Sequence, residues 1–193
     1  PAAADEHPLI HAHRAHQIAA AHFYSEQFGA ARALFEAIGE DDSSPWRRLG
    51  AFLAARCYIR KGTLGAGRGQ VDKTAFAEAE RRLFLVLADD SLTDVHAAVN
   101  RLLPYVQQRL RPAKWTRYHG RRLAGLEGAR FNARDLADYA WLRTRDGAQG
   151  AATDDPLSEW LGTVTTHGAE KAAAFDVAFG EWEGTGGAHW LLA

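Results

Sequence analysis

At 193 residues and 47% hydrophobic composition, the chain is long enough for one sizeable core or a short stack of helix pairs, and too apolar to stay disordered. A formal net charge of -1 carries none of the basic excess of a nucleic-acid binder, and no run reaches the roughly 20 apolar residues of a membrane span. The single Cys57 excludes an internal disulfide.

The chain opens on Pro1-Ala2-Ala3-Ala4 and contains no methionine, so the expectation is a fragment of something longer or an exported chain trimmed of its signal peptide. Residues 1–7 read as a tail. Pro8 suits the first turn of a helix running from Leu9 to Glu26, with Ile10, Ile18, Ala21 and Phe23-Tyr24 as its apolar stripe. A second helix spans Phe28 to Ile38 and is expected to stop at Gly39 and the acidic Asp41 to Ser44. Ser44 as N-cap and Pro45 as first helical residue open a third, running to Lys61. Within it Cys57 reads as a buried, inert thiol, although Arg56 and Arg60 beside it would lower its pKa. Gly62 to Gln70 should break the helix. It is no phosphate loop: a helix precedes it in place of a strand, and Lys73-Thr74 is out of register.

Asp72 or Thr74 caps the fourth helix, which carries Phe76, Ala79, Leu83 and Val86 to Asp89-Asp90-Ser91. The fifth runs to about Arg111, kinked by Pro104 and ended by Pro112. Lys114 to Glu127 mixes arginines and aromatics. Such a mixture can stack on nucleic-acid bases, but in a near-neutral chain the preferred reading is a helix with solvated arginines and core aromatics. Further helices are expected from Asn132 to Arg145, from Pro156 to Val164 and from Ala169 to Glu183, with a Gly/Ala/Asp-rich linker at 146–155. The last five residues begin another helix, as if the chain were truncated. Strand-like alternation is absent. The excess of Arg over Lys and the abundance of Ala point to a GC-rich bacterial source.

One pattern recurs. Ala31, Phe35 and Ile38, closed by Asp41-Asp42-Ser43, are echoed by Ala79, Leu83 and Val86, closed by Asp89-Asp90-Ser91. With Trp46, Leu49 and Gly50 on the helix after the first of these, residues 8–111 resemble tetratricopeptide repeats. Leu83 and Val86 depart from the usual residues, and the glycine-rich insertion at 62–71 stretches the period. The segments Ser43–Arg47, Asp135–Leu142 and Asp155–Trp160 also resemble parts of a large, uncharacterised bacterial helical-repeat protein, which brings no activity with it. The resemblance implies an all-α fold of antiparallel helix pairs stacked as a short tetratricopeptide-like α-solenoid. Its parts would be a tail (1–7), the repeat pairs (8–111) and further helical pairs continuous with them (112–193). It also implies a groove lined by the first helix of each pair that binds a protein or peptide, with Tyr24, Trp46, Arg56 and Arg60 as contributors.

Histidines crowd the first helix. His7 and His11 lie four apart and His13 and His16 three apart, spacings that can place two imidazoles on one metal ion. A third ligand is not evident, no H-E-x-x-H frame exists, and solvated or packing histidines are the plainer reading. The carboxylate pairs Asp41-Asp42, Asp89-Asp90 and Asp154-Asp155 fall where helices begin or end, so capping explains them. No serine stands in a G-x-S-x-G frame. Trp141, Trp160 and Trp182 fall at core spacing. The resulting expectation is a non-catalytic binding or scaffold module without a cofactor, in the bacterial cytoplasm or periplasm. Its partner would be a protein, a peptide or the rest of its own longer chain, with no nucleic acid and no membrane span. The alternative is a metal-binding protein or metal-dependent enzyme built on the histidines.

Overall fold

The computed structural model describes residues 7–66, 70–124, 133–145, 157 and 171–185, and the regular structure among them is all helical. The chain divides into two compact units, residues 1–110 and 111–193.

The first unit holds α1 (Pro8–Tyr24), α2 (Phe28–Glu40), α3 (Arg47–Leu64), α4 (Lys73–Ala88), a 3-10 turn (Asp90–Leu92) and α5 (Thr93–Leu110). Each helix packs on the next in sequence, and α3 also meets α5. The ends are set by local chemistry. α1 stops at Tyr24 rather than Glu26 because Glu26 turns into the left-handed region, with φ of 62°. The Gln27 N–H then donates to the His22 carbonyl (2.9 Å) and the Glu26 N–H to that of Phe23 (3.2 Å), the paired bonds of a Schellman end. The repeated Asp-Asp-Ser corners share one geometry: Asp41 accepts from the Ser43 N–H and Asp89 from the Ser91 N–H, each at 2.9 Å. Asp72, not Thr74, caps α4 by accepting from the Ala75 N–H at 3.0 Å.

Ala31, Phe35 and Ile38 on α2 and Ala79, Leu83 and Val86 on α4 are all buried. They belong to two cores. One gathers Ala19, Phe28, Ala31, Phe35, Ile38, Ala54 and Cys57 from α1, α2 and α3. The other gathers Ala55, Ile59, Phe76, Ala79, Leu83, Val86 and the inner stripe of α5. The adjacent Ala54 and Ala55 serve different cores, because neighbouring helical positions point about 100° apart. Helix α3 is therefore apolar on two faces.

Two glycines expected to break helices instead lie inside them. α2 runs through Gly39 because that residue faces Gly50 on α3. A Cβ at Gly50 would overlap the Gly39 backbone nitrogen and lie 2.7 Å from the Gly39 Cα and the Phe35 carbonyl oxygen. α3 runs through Gly62 to Leu64 because a Cβ there would lie 2.7 Å from the Phe76 ring. In both places the missing side chain serves packing between helices. α3 also begins two residues later than expected: Ser44 accepts from the Trp46 N–H at 3.2 Å, and Pro45 lies in the turn. α5 continues through Pro104, and Pro112 opens the next helix rather than closing this one.

An ionic lattice fastens α2, α3 and α4. Glu36 pairs with Arg32 (2.8 Å) and Arg82 (2.5 Å), and Glu78 with Arg81 (2.6 Å) and Arg82 (2.9 Å). The Arg32 and Arg82 guanidiniums each lie 5.6 Å from the Tyr58 ring centre. Hydrogen bonding to Arg81, then Arg82, lowers the Glu78 pKa to about 2.

The second unit holds α6 (Pro112–Ala124), α7 (Ala133–Arg143) and α8 (Lys171–Thr185). α6 packs on α7, with Thr116, His119, Tyr139 and Leu142 buried and Arg122 3.4 Å from Asp135. The Asn132 cap, the 146–155 linker, the body of the helix expected after Pro156, Trp160, the side chain of Trp182 and the last helix all lie outside the described residues. Among the described residues no helix is long and apolar enough to cross a membrane.

Candidate functional site

Helix α3 carries five cationic residues and no carboxylate. Two of the five are neutralised near its start, Arg47 by Asp42 at 2.8 Å and Arg48 by Asp94 at 3.5 Å. Further along, the three- and four-residue spacing of Arg56, Ile59, Arg60 and Thr63 sets them on one stripe. Packing of α3 on α5 brings that stripe opposite Leu102 and Tyr105, enclosing a cleft of about 190 Å³.

The walls of this cleft are held from behind. Thr63 Oγ1 donates to the Ile59 carbonyl at 2.8 Å and lies 3.4 Å from the Tyr105 hydroxyl. Arg109 donates to the Tyr105 carbonyl at 3.0 Å, with its guanidinium 3.3 Å from the Tyr105 ring centre. Arg56 and Arg60 are exposed, and neither has a carboxylate partner among the described residues. Arg56 lies 5.6 Å from the centre of the Phe23 ring, which meets Tyr24 edge-on at 5.6 Å. Tyr24 itself is 83% exposed. The cleft therefore offers two uncompensated guanidiniums beside an apolar wall. Its volume suits a side chain rather than a cofactor, since pockets for drug-sized ligands start near 300 Å³.

Of the four expected groove residues, Tyr24 meets Phe23 outside the cleft lining, while Arg56 and Arg60 line the cleft. Trp46 does not. It stands at the opposite end of α3 under the first helix, stacked on His16 (centroids 4.5 Å apart, 24° between planes) and met edge-on by His13 at 5.3 Å. Its Nε1 is buried without a hydrogen-bond partner. A second hollow, about 630 Å³, touches Trp46, but Asp42 and Asp94 in its wall already neutralise Arg47 and Arg48 there.

The histidines separate by the same helical geometry. His13 and His16 face Trp46, and burial, then the nearby His13, lowers the His16 pKa. His7 caps α1, accepting from the Leu9 N–H at 3.3 Å. His11 is exposed and contributes weakly to the low pKa of Asp41, which the bonds from Ser43 dominate. Among the described residues no three His, Cys, Asp or Glu side chains come together to hold a metal ion. Burial pushes the Cys57 thiol up to about 12, outweighing the smaller downward pull of Arg56 and Arg32.

Leu102 and Tyr105 are the site residues that sequence reasoning missed. Their period matches any amphipathic helix, and only the contact of α3 with α5, distant in sequence, places them beside Arg56 and Arg60. Comparison with family models, with curated proteins and with solved structures gave no match.

Proposed function

We propose that the chain is a non-catalytic binding module, a short α-solenoid of tetratricopeptide-like helix pairs, whose cleft between α3 and α5 receives a peptide segment of a protein partner. The solenoid reading is supported by packing of each helix on its sequence neighbour together with the α3–α5 contact, the pattern expected when alternate helices form a layer. It is supported too by the matching buried stripes and Asp corners of α2 and α4. The observation that carries the binding reading is the pairing of unneutralised Arg56 and Arg60 with the apolar Leu102 and Tyr105 in one small cleft. Such a site recognises a segment presenting an anionic group next to an apolar side chain.

The test is to pan a random peptide library on the 193-residue chain and on its Arg56→Glu/Arg60→Glu variant. Sequences enriched on the parent should lose capture on the variant. Failure of any sequence to enrich, or equal capture by both proteins, would remove the cleft as a binding site.

A further inference from the structure

The near-zero net charge of the whole chain hides a strong segregation. From Val95 to Leu126 there are seven Lys or Arg residues and no Asp or Glu. α6 turns four of these cations onto one face: Lys114, Arg117, Arg121 and Arg122 line, with Tyr118, a hollow of about 650 Å³. Arg122 is drawn aside to Asp135 and to the Tyr118 hydroxyl, each at 3.4 Å. Lys114, Arg117 and Arg121 are exposed and have no carboxylate partner among the described residues.

The arginines are thus solvated, as the sequence suggests, but Tyr118 is not a core aromatic. It remains 48% exposed at the centre of the cationic face. Trp115 meets it at a T-shaped angle at 5.2 Å and His119 at 5.3 Å, so the ring is braced from its own helix while part of the residue stays exposed. Among the described residues, Asp135 and Asp138 on α7 act on the buried His119, and Asp135 also on Arg122.

We propose that this face of α6 binds single-stranded nucleic acid, with Lys114, Arg117 and Arg121 on successive phosphates and Tyr118 stacked on a base. Helical spacing sets the Cβ atoms of neighbouring cationic residues about 5–6 Å apart, which makes a track for a polyanion rather than a point site. An acidic peptide satisfies the cations, but its carboxylate side chains offer the exposed aromatic ring no π-face. A duplex keeps its base faces stacked inside. A single strand supplies both charge and an open base.

The experiment is fluorescence anisotropy of a labelled oligothymidylate with the full chain, over about 25–200 mM salt. Three phosphate contacts should give a slope of log affinity against log salt of about -2. Arg117→Ala/Arg121→Ala should bring that slope to about -0.7 and weaken binding at least about tenfold at the lowest salt. Tyr118→Ala should weaken binding at least about fivefold with the slope unchanged. Circular dichroism checks that the variants stay folded, and a photoreactive oligonucleotide on the unmodified protein should crosslink to the peptide holding Tyr118. The proposal is overturned by absence of binding at the lowest salt, by a crosslink elsewhere, or by a Tyr118→Ala protein that binds as the parent does while polyglutamate competes as well as unlabelled oligothymidylate.

Discussion

Alanine at position 50 would set its Cβ 2.7 Å from the Gly39 Cα and the Phe35 carbonyl oxygen, both of them backbone that cannot swing aside. Gly50→Ala is expected to cost about 3 kcal/mol or more, read as a lower midpoint in urea unfolding. Gly29, also helical, has open space where a Cβ would go, so Gly29→Ala should be neutral or stabilise by up to about 1 kcal/mol in the same assay. Glu26 is the complementary case. Its φ of 62° strains an L-residue, and Glu26→Gly should raise stability by about 0.5–1 kcal/mol although the side chain lost is exposed. At Cys57, burial and a pKa near 12 predict that a thiol reagent at neutral pH labels the unfolded protein and spares the folded one. Residue identity alone foretold the buried cysteine, because apolar neighbours surround it on a helical period. It did not foretell Gly39 or Gly62 inside helices. Glycine weakens a lone helix, and only the approach of a second helix turns that weakness into a requirement.

At the level of the helix, α1 shows how packing and titration meet. Its His13 and His16 cover Trp46, and burial lowers the His16 pKa below the ordinary histidine value. The folded form therefore holds fewer protons than the unfolded form near pH 6.5, and stability rises with pH there. As pH falls from 7.5 through the unfolded histidine value, this contribution is lost. Thermal melts of the parent should show a larger drop between pH 7.5 and pH 5 than those of His16→Phe, which keeps the aromatic cover without the titrating group. Equal drops would mean that His16 does not couple α1 to pH. The stripes on α2 and α4 were readable in the sequence because apolar spacing reports directly on burial. Tyr24, Arg56 and Arg60, like Trp46, entered as groove candidates through the repeat pattern and not through apolar spacing, which marks what is buried and leaves exposed positions alike. The pattern could not say that Trp46 meets α1; the faces of α1 decide its surroundings, and those depend on where α1 docks.

On the scale of the molecule, the first unit is not one core but two, and α3 is the wall they share. Damage to either should reach the other. Leu83→Ala, at a fully buried site in the second core, is expected to cost about 2–5 kcal/mol. It should also lower hydrogen-exchange protection in α2 as well as in α4, because loosening α3 exposes both neighbours. Protection lost in α4 and α5 alone would mean that the two cores open independently. An all-helical chain was evident from periodicity. The division of labour within α3 was not: a helix apolar on two sides has a blurred period, and nothing local says which side meets which partner.

The shared wall also sets the reading frame of the unit. A residue inserted into α1 rotates everything beyond it on that helix by about 100° and spoils the one face by which it packs on α2. The same insertion at Ala54 would swing the remainder of α3 away from α2 and α4 together, with no register that restores one side without forfeiting the other. Length changes in this unit should therefore be accepted in the turns between helices and refused within α3, whatever residue is added.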